Sequence, residues 1–244
     1  MPTQLLFTQF LNRLFAGPVD ALLRAVHVAP MYPKAPITNV VAMELLVFLV
    51  LVAYFIVVRV SLSVETPGGV QHLAEMTNEF VSEQGEQIIG HGSERFTSYL
   101  TALFLFILLS NLLGLASPWF ESPTANVTVP LGFALVTFVY YHFHGFRSNG
   151  LSYYKQFVGP VWWMSWLLLP VELISHCARI LSLTVRLYAN MFAGDLLTMV
   201  FFSMVPIGLP LVFLGLHLGV AAIQAYVFML LAAIYLSLAV AHEH

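Results

Sequence analysis

The chain has 244 residues, of which 59% are hydrophobic and only 9% are charged. Soluble domains carry about 25% charged residues, so the composition excludes an ordinary soluble domain and indicates a membrane protein with several spans. The net charge of -3 gives no sign of nucleic-acid binding, and the single cysteine, Cys177, excludes an internal disulfide.

Residues 1–39 are predicted to form an N-terminal surface segment. In LLFTQFLNRLF the basic residue, Arg13, follows the apolar residues instead of preceding them. This order favours an amphipathic helix on a membrane surface, with a cleaved signal or an organellar presequence as the alternative. Pro30, Pro33 and Pro36 then indicate an extended linker.

Residues 40–244 are predicted to form a single membrane domain of the all-α class, with about five membrane helices. About 20 apolar residues cross a hydrocarbon core ~30 Å thick. Two segments are longer than this, so we expect them to tilt, or to kink near Pro170. The predicted spans are residues 40–60, 96–117 and 127–143, followed by the two long helices at 161–204 and 209–241.

An amphipathic helix is predicted over about residues 70–90. Its apolar residues recur near helical spacing, and its glutamates occupy the other positions, which is typical of a helix lying on one membrane face. The apolar positions are Leu73, Met76, Phe80 and Ile88, and the acidic ones are Glu75, Glu79, Glu83 and Glu86.

The basic residues indicate an orientation. Arg59, Arg147 and Lys155 flank spans on one side, so the positive-inside rule places the amphipathic helix and the C terminus in the cytoplasm. Arg13 and other basic residues of the N-terminal segment lie on the far side and act against this assignment.

The apolar run from Leu173 to Leu197 contains charged residues. Arginine in a hydrocarbon core costs at least about 2.5–3.5 kcal/mol, so Arg186, too deep to reach water easily, is predicted to be functional. Asp195 lies nine residues further on, on the opposite face and ~13 Å along the axis, and Glu172 lies ~21 Å away in the other direction. Two offset half-paths separated by a fixed positive charge have this geometry. We call the helical face that bears Arg186 the polar stripe; it comprises Glu172, Ser175, Arg179, Ser182, Arg186 and Asn190.

The last helix carries His217 and Gln224, which are seven residues apart and therefore share a face. A short connection makes this helix antiparallel to the preceding one. If His217 lies level with Asp195, Gln224 is ~10 Å deeper and approaches the level of Arg186.

Purely structural roles are open for several polar residues. His217 is equally well interpreted as an interhelical hydrogen-bond donor, and we expect Ser175 and Ser182 to pack helices together. We expect Arg179 to extend its head group to interfacial water.

No metal site or cofactor is predicted. His142 and His144, and the C-terminal residues 242–244, have the side chains of metal ligands, but no third and fourth ligands cluster with them.

At these residues the sequence resembles subunit a of the rotary F-type ATP synthases. The family pattern R-L-x-x-N-M-x-A-G-acid is matched by SLTVRLYANMFAGDLL, and the resemblance extends to VQHLAEM, RFTSYLTALFLFILLSNLLGL, TANVTVPLG and IQAYVFMLLAAIYLSLA. It covers most of residues 40–244. Asp195 stands where many members have glutamate, and Ala189 replaces a common glycine.

The resemblance implies a non-catalytic, proton-translocating stator subunit of a bacterial plasma-membrane ATP synthase. Its partners would be the c-subunit ring, peripheral-stalk b subunits and membrane lipid. Arg186 would face the ring carboxylates and separate two half-channels. The implied lining is Asp195, His217 and Gln224 on the periplasmic side, Glu172 and Ser175 on the cytoplasmic side, and Asn190 beside Arg186.

Two functions of other classes are open from the residues alone. One is a self-contained ion channel or transporter, although no inverted halves with matching broken helices are evident. The other is an intramembrane enzyme that uses Glu172, His176 and Asp195 on a lipid or peptide, although no recognised constellation converges. The absence of a G-x-x-x-x-G-K-[ST] loop assigns nucleotide chemistry to other subunits.

Overall fold

A computed structural model describes residues 4–25, 35–63, 68–90, 92–116, 120–150, 165–204 and 208–240. These residues form seven α-helices and one 3-10 turn, and they contain no strand, which confirms the all-α prediction. The C-terminal histidines and residues 161–164 lie outside the described residues. The helices are α1 (Leu6–Ala25), α2 (Asn39–Val60), α3 (Gly69–Ile89), α4 (Glu94–Gly114), α5 (Thr128–Asn149), α6 (Ser165–Met204) and α7 (Leu209–Val240), with the 3-10 turn at Pro123–Ala125.

Four of the described helices are long and apolar enough to cross a membrane: α2, α4, α6 and α7. The predicted third span also forms a helix of suitable length, α5, with 22 residues. It is less apolar than the others because its C-terminal half contains two tyrosines and two histidines. It packs against α6 and α7 and completes the helical bundle.

The N-terminal helix α1 is held against the start of α2. Asn12 donates its amide to the carbonyl of Ile37 and accepts the backbone N–H of the same residue, both at 3.0 Å. Leu11 is buried beside Ala42 and Met43 of α2. These contacts fix α1 beside the first span.

The helix α3 is amphipathic, as predicted, but its apolar side has two different environments. Val81 and Gly85 are buried against the other helices, whereas Leu73 and Met76 are exposed on the surface of the chain. An exposed apolar side next to exposed glutamates suits a helix lying at a membrane surface. The helix ends at Gly90, whose φ of 80° favours glycine.

The core lies between α4, α5, α6 and α7, with α3 packed on one side. Small residues on α7 allow its neighbours to approach closely, which is the usual means of packing helices in a membrane. The buried alanines of this helix are Ala221, Ala225, Ala232, Ala233 and Ala239.

The two long helices are α6, with 40 residues, and α7, with 32 residues. At ~1.5 Å per residue they are about 60 and 48 Å long, so they exceed a ~30 Å core and must tilt to stay within it. The helix α6 continues through Pro170. Most of its apolar residues outside the core are exposed, so one whole side of α6 is available to lipid or to a neighbouring protein.

Candidate functional site

Arg186 lies near the middle of α6 and is exposed on its outer side. The side chain donates a hydrogen bond to Oγ of Ser182, one turn earlier, at 3.3 Å. Exposed apolar residues of the same helix, Leu181, Val185 and Phe192, lie on another face. No salt bridge to Arg186 is found within the described ranges. A guanidinium within an apolar membrane helix has a high desolvation cost, which an opposite charge nearby would lower.

Asn190 lies one turn beyond Arg186 and contacts α7. Its amide donates a hydrogen bond of 2.9 Å to Oε1 of Gln224, whose side chain is buried. This contact confirms the expected register, because it places Gln224 within one helical turn of the level of Arg186. The hydrogen bond between Asn190 and Gln224 thus joins the two long helices one turn away from the arginine.

Asp195 and His217 face each other across that interface. Nδ1 of His217 lies 3.8 Å from Oδ1 of Asp195, and the two side chains are 3% and 33% exposed respectively. Gly194 permits this approach: a Cβ at that position would lie 2.8 Å from two atoms of the imidazole ring. The glycine preceding the aspartate is thus needed for space.

A hydrogen-bonded network lies beside Asp195 and was not predicted from the sequence. Asn111 donates to the carbonyl of Ala221 at 3.1 Å and accepts from Oγ1 of Thr124 at 2.6 Å. Ser122 donates to the carbonyl of Ser110 at 3.1 Å. The network fixes the 3-10 turn against α4 and α7.

Gly114 provides the contact between this network and the acidic residue. A Cβ at Gly114 would lie 2.8 Å from Cβ of Ser122 and 3.3 Å from Oδ1 of Asp195. The only sequence signal for these residues was the run of polar residues after an apolar span, which by itself is also typical of an ordinary loop.

A second carboxylate lies near Asp195. Glu121 is exposed at the start of the 3-10 segment, close enough for its charge to act on Asp195. The side-chain amide of Asn39 donates a hydrogen bond of 3.4 Å to Oε1 of Glu121. The sequence analysis did not single out Glu121, because nothing in the local pattern indicates how close it lies to α6.

At the other end of the polar stripe, Oε1 of Glu172 lies 3.3 Å from Nε2 of His176. Ser175 is half-buried one turn further along the same side. Arg179, which we expect to extend to interfacial water, is half-buried, and its guanidinium lies 5.2 Å from the centroid of the Tyr235 ring. Its positive charge is thus stabilised by an aromatic face.

The intramembrane-enzyme alternative requires Glu172, His176 and Asp195 to converge. Glu172 and His176 are adjacent, but Asp195 is nineteen residues beyond His176 on the same helix, which is ~28 Å. Within the described part of the chain, no group of three or more His, Cys, Asp or Glu residues could hold a metal ion. The geometry does not support catalysis by these three residues.

Comparison with known proteins identifies the family. The family model described as ATP synthase A chain matches residues 40–237, which is most of the chain. The chain belongs to this family.

Curated members of the family align with this chain over nearly its full length. ATP synthase subunit a of Koribacter versatilis is 59% identical over 245 residues, covering 100% of both proteins. ATP synthase subunit a of Solibacter usitatus is 44% identical and covers 96% of this chain and 99% of the relative. Subunit a of Trichlorobacter lovleyi is 35% identical, with 98% of both proteins covered. As a member of the ATP synthase A chain family, the chain is a membrane subunit of a multi-subunit complex.

Proposed function

We propose that this chain is the proton-translocating, non-catalytic subunit a of a rotary F-type ATP synthase. In this proposal it forms two offset half-channels against a ring of c subunits, with Arg186 as the charge that separates them. The remaining subunits supply the nucleotide chemistry, and b subunits of the peripheral stalk hold the chain in place.

The observation that carries the proposal is the position of Arg186. The guanidinium is exposed on the outer side of α6, and among the described residues its hydrogen bond goes to Ser182 of the same helix. A carboxylate on a neighbouring subunit would compensate the cost of burying this charge. An opposite charge within ~4–6 Å favours the ionised form of a carboxylate, so a protonated acid moving past Arg186 releases its proton.

The periplasmic half-channel in this proposal uses the interface between α6 and α7. Asp195 and His217 form its outer part, and Asn190 with Gln224 forms its inner part next to Arg186. Two buried nitrogen atoms in this interface, Nε2 of His217 and Nε2 of Gln224, have no hydrogen-bond partner among the described residues. Buried polar groups are stable when they are hydrogen-bonded, so this interface favours water along its length.

The cytoplasmic half-channel uses the opposite end of the stripe, with Glu172 and Ser175. These residues and Asp195 lie at different depths, on either side of Arg186. A fixed positive charge between two aqueous half-channels opposes the passage of cations directly from one to the other. Protons therefore cross only on the ring carboxylates.

The location we propose is a bacterial plasma membrane, with the C terminus in the cytoplasm. The basic residues at the ends of α2 and α5, Arg59 and Arg147, support this orientation. Each proton that crosses 100 mV delivers ~2.3 kcal/mol, so several must cross for each ATP that is made.

The test is ATP-driven proton pumping in membrane vesicles that contain the whole complex. We expect Arg186→Ala to reduce coupled pumping below detection, because the ring carboxylates lose the charge that ionises them. Arg59→Ala, which alters an exposed arginine at the end of α2, is the matched control and should pump normally. Normal pumping by Arg186→Ala would refute the proposal, and ion flux through the chain reconstituted alone would favour a self-contained channel.

A further inference from the structure

His176 connects α5 to the polar stripe of α6. The imidazole is 8% exposed, and Glu172, one turn earlier, is 39% exposed. Nε2 of the ring lies 3.3 Å from Oε1 of Glu172, and Nδ1 lies 2.9 Å from the hydroxyl of Tyr141. The buried Tyr141 thus contacts the buried His176, which in turn contacts the partly exposed Glu172.

The hydrogen-bonding chemistry of these groups favours one tautomer of the ring. An ionised carboxylate only accepts hydrogen bonds, so in a neutral imidazole a hydrogen on Nε2 suits the Glu172 oxygen 3.3 Å away. Nδ1 of that tautomer has a lone pair that can accept the O–H of Tyr141, 2.9 Å away. A tyrosine hydroxyl can donate or accept, so the contact of Tyr141 with Nδ1 is compatible with this tautomer.

The surroundings restrict the movement of His176. The ring of His142 lies 4.8 Å from that of His176, and the ring of Phe138 lies 6.2 Å away, both measured between centroids. The ring of Tyr141 stacks on the imidazole at 6.0 Å with an angle of 19°. Aromatic rings of α5 therefore hold the imidazole in the orientation that serves Glu172.

The nearest arginine on the same helix, Arg179, contacts an aromatic ring of α7. The guanidinium of Arg179 lies over the ring of Tyr235, and the two residues Arg179 and Glu172 form no salt bridge within the described ranges. This matters because a guanidinium beside Glu172 would favour its ionised form and hinder its protonation. A neutral imidazole fixes the carboxylate in position without adding a charge.

We propose that His176 and Tyr141 are positioning residues of the cytoplasmic half-channel, which hold the Glu172 carboxylate on the polar stripe so that it can take up and release protons. This inference rests on the proposed function. Oε1 accepts the Nε2–H of His176, so a proton released near Arg186 and carried by water binds Oε2 of Glu172. The same proton leaves Oε2 for water on the cytoplasmic side, and the imidazole keeps its own proton throughout.

The test compares variants of the whole complex in membrane vesicles, with pumping rates divided by the amount of assembled complex. Losing a hydrogen bond to a charged group changes an equilibrium about tenfold or more, so His176→Leu should slow proton pumping at least about tenfold. Tyr141→Phe removes a neutral hydrogen bond and should slow pumping about threefold to tenfold. His176→Gln should retain at least half of the rate, because its amide nitrogen can still donate to Glu172.

The matched controls come from α5, the helix that also carries Tyr141. His144→Leu changes a histidine whose ring meets that of Phe96 edge-on, and Tyr140→Phe changes a tyrosine that stacks on Tyr99. Neither residue has a hydrogen bond or ion pair with Glu172 among the described residues. Both should pump at the wild-type rate. In a Glu172→Gln background, His176→Leu should have no further effect, because groups that act through the same carboxylate are not additive.

The inference is overturned if His176→Leu pumps like His144→Leu. It is also overturned if Tyr141→Phe and His176→Gln are both inactive, or if His176→Leu slows pumping as much in the Glu172→Gln background as in the wild type. Arg186→Ala, measured in the same vesicles, separates this inference from the proposed function. If Arg186→Ala abolishes pumping and the His176 and Tyr141 variants are normal, only the positioning role fails.

Discussion

The contact between Gly194 and His217 leads to a quantitative prediction. In Gly194→Ala, the added Cβ would lie 2.8 Å from Cδ2 and Nε2 of the imidazole and 2.9 Å from Cε1, whereas ordinary contacts begin at 3.4 Å. The ring or the helix must therefore retreat by 0.6 Å. Adding a methyl group to a packed core costs about 1–3 kcal/mol. We expect this movement to lengthen the 3.8 Å distance between Nδ1 of His217 and Oδ1 of Asp195.

We expect Gly194→Ala to lower the thermal stability of the purified complex and to slow ATP-driven proton pumping. Gly219→Ala is the matched control, because a Cβ there on α7 meets nothing within 4 Å. Adding His217→Ala to Gly194→Ala should recover part of the lost stability, because it removes the overlapping ring. It should not recover proton pumping, because the imidazole is missing. Wild-type stability and wild-type pumping in Gly194→Ala would show that the close approach is not present in the assembled complex.

Two further predictions concern buried amides. Gln224→Leu removes the acceptor of the hydrogen bond from Asn190. Proton pumping in vesicles should therefore fall severalfold while the complex still assembles. An unchanged pumping rate would exclude this pair from the half-channel. Asn111→Leu leaves the carbonyl of Ala221 without its side-chain donor and removes the acceptor of Thr124, at a cost of about 1–3 kcal/mol for each buried group left unsatisfied. Thermal denaturation should show this loss of stability. The control Asn78→Leu, at an exposed position on α3, should change the stability little. Equal stability of the two variants would contradict the role of the network.

The helices could be predicted because their signals are local. The first span was predicted at residues 40–60 and forms Asn39–Val60, and the amphipathic helix was predicted at about 70–90 and forms Gly69–Ile89. Length, apolar composition and glycine at the ends determine such elements within one stretch of chain. The α3 helix also shows the limit of this reasoning, because the pattern did not distinguish apolar residues that pack on protein from those left exposed.

The predicted pairing of the two long helices depended on one condition, that His217 lies level with Asp195. The structure meets the condition, and Gln224 then pairs with Asn190. Helical spacing determines the relative positions of residues along one helix, so a single correct contact sets the rest of the register. No periodicity indicates that first contact.

The amino-acid sequence by itself determined that the chain is a helical membrane protein and that an arginine lies on a polar stripe within an apolar helix, because both follow from composition and from 3.6 residues per turn. Tertiary structure decided which side chains meet: Asn111 with Ala221, 110 residues apart, Tyr141 with His176, and Gly194 under His217. Contacts of this kind depend on how helices pack against one another, and packing joins residues whose separation in the chain carries no periodic signal.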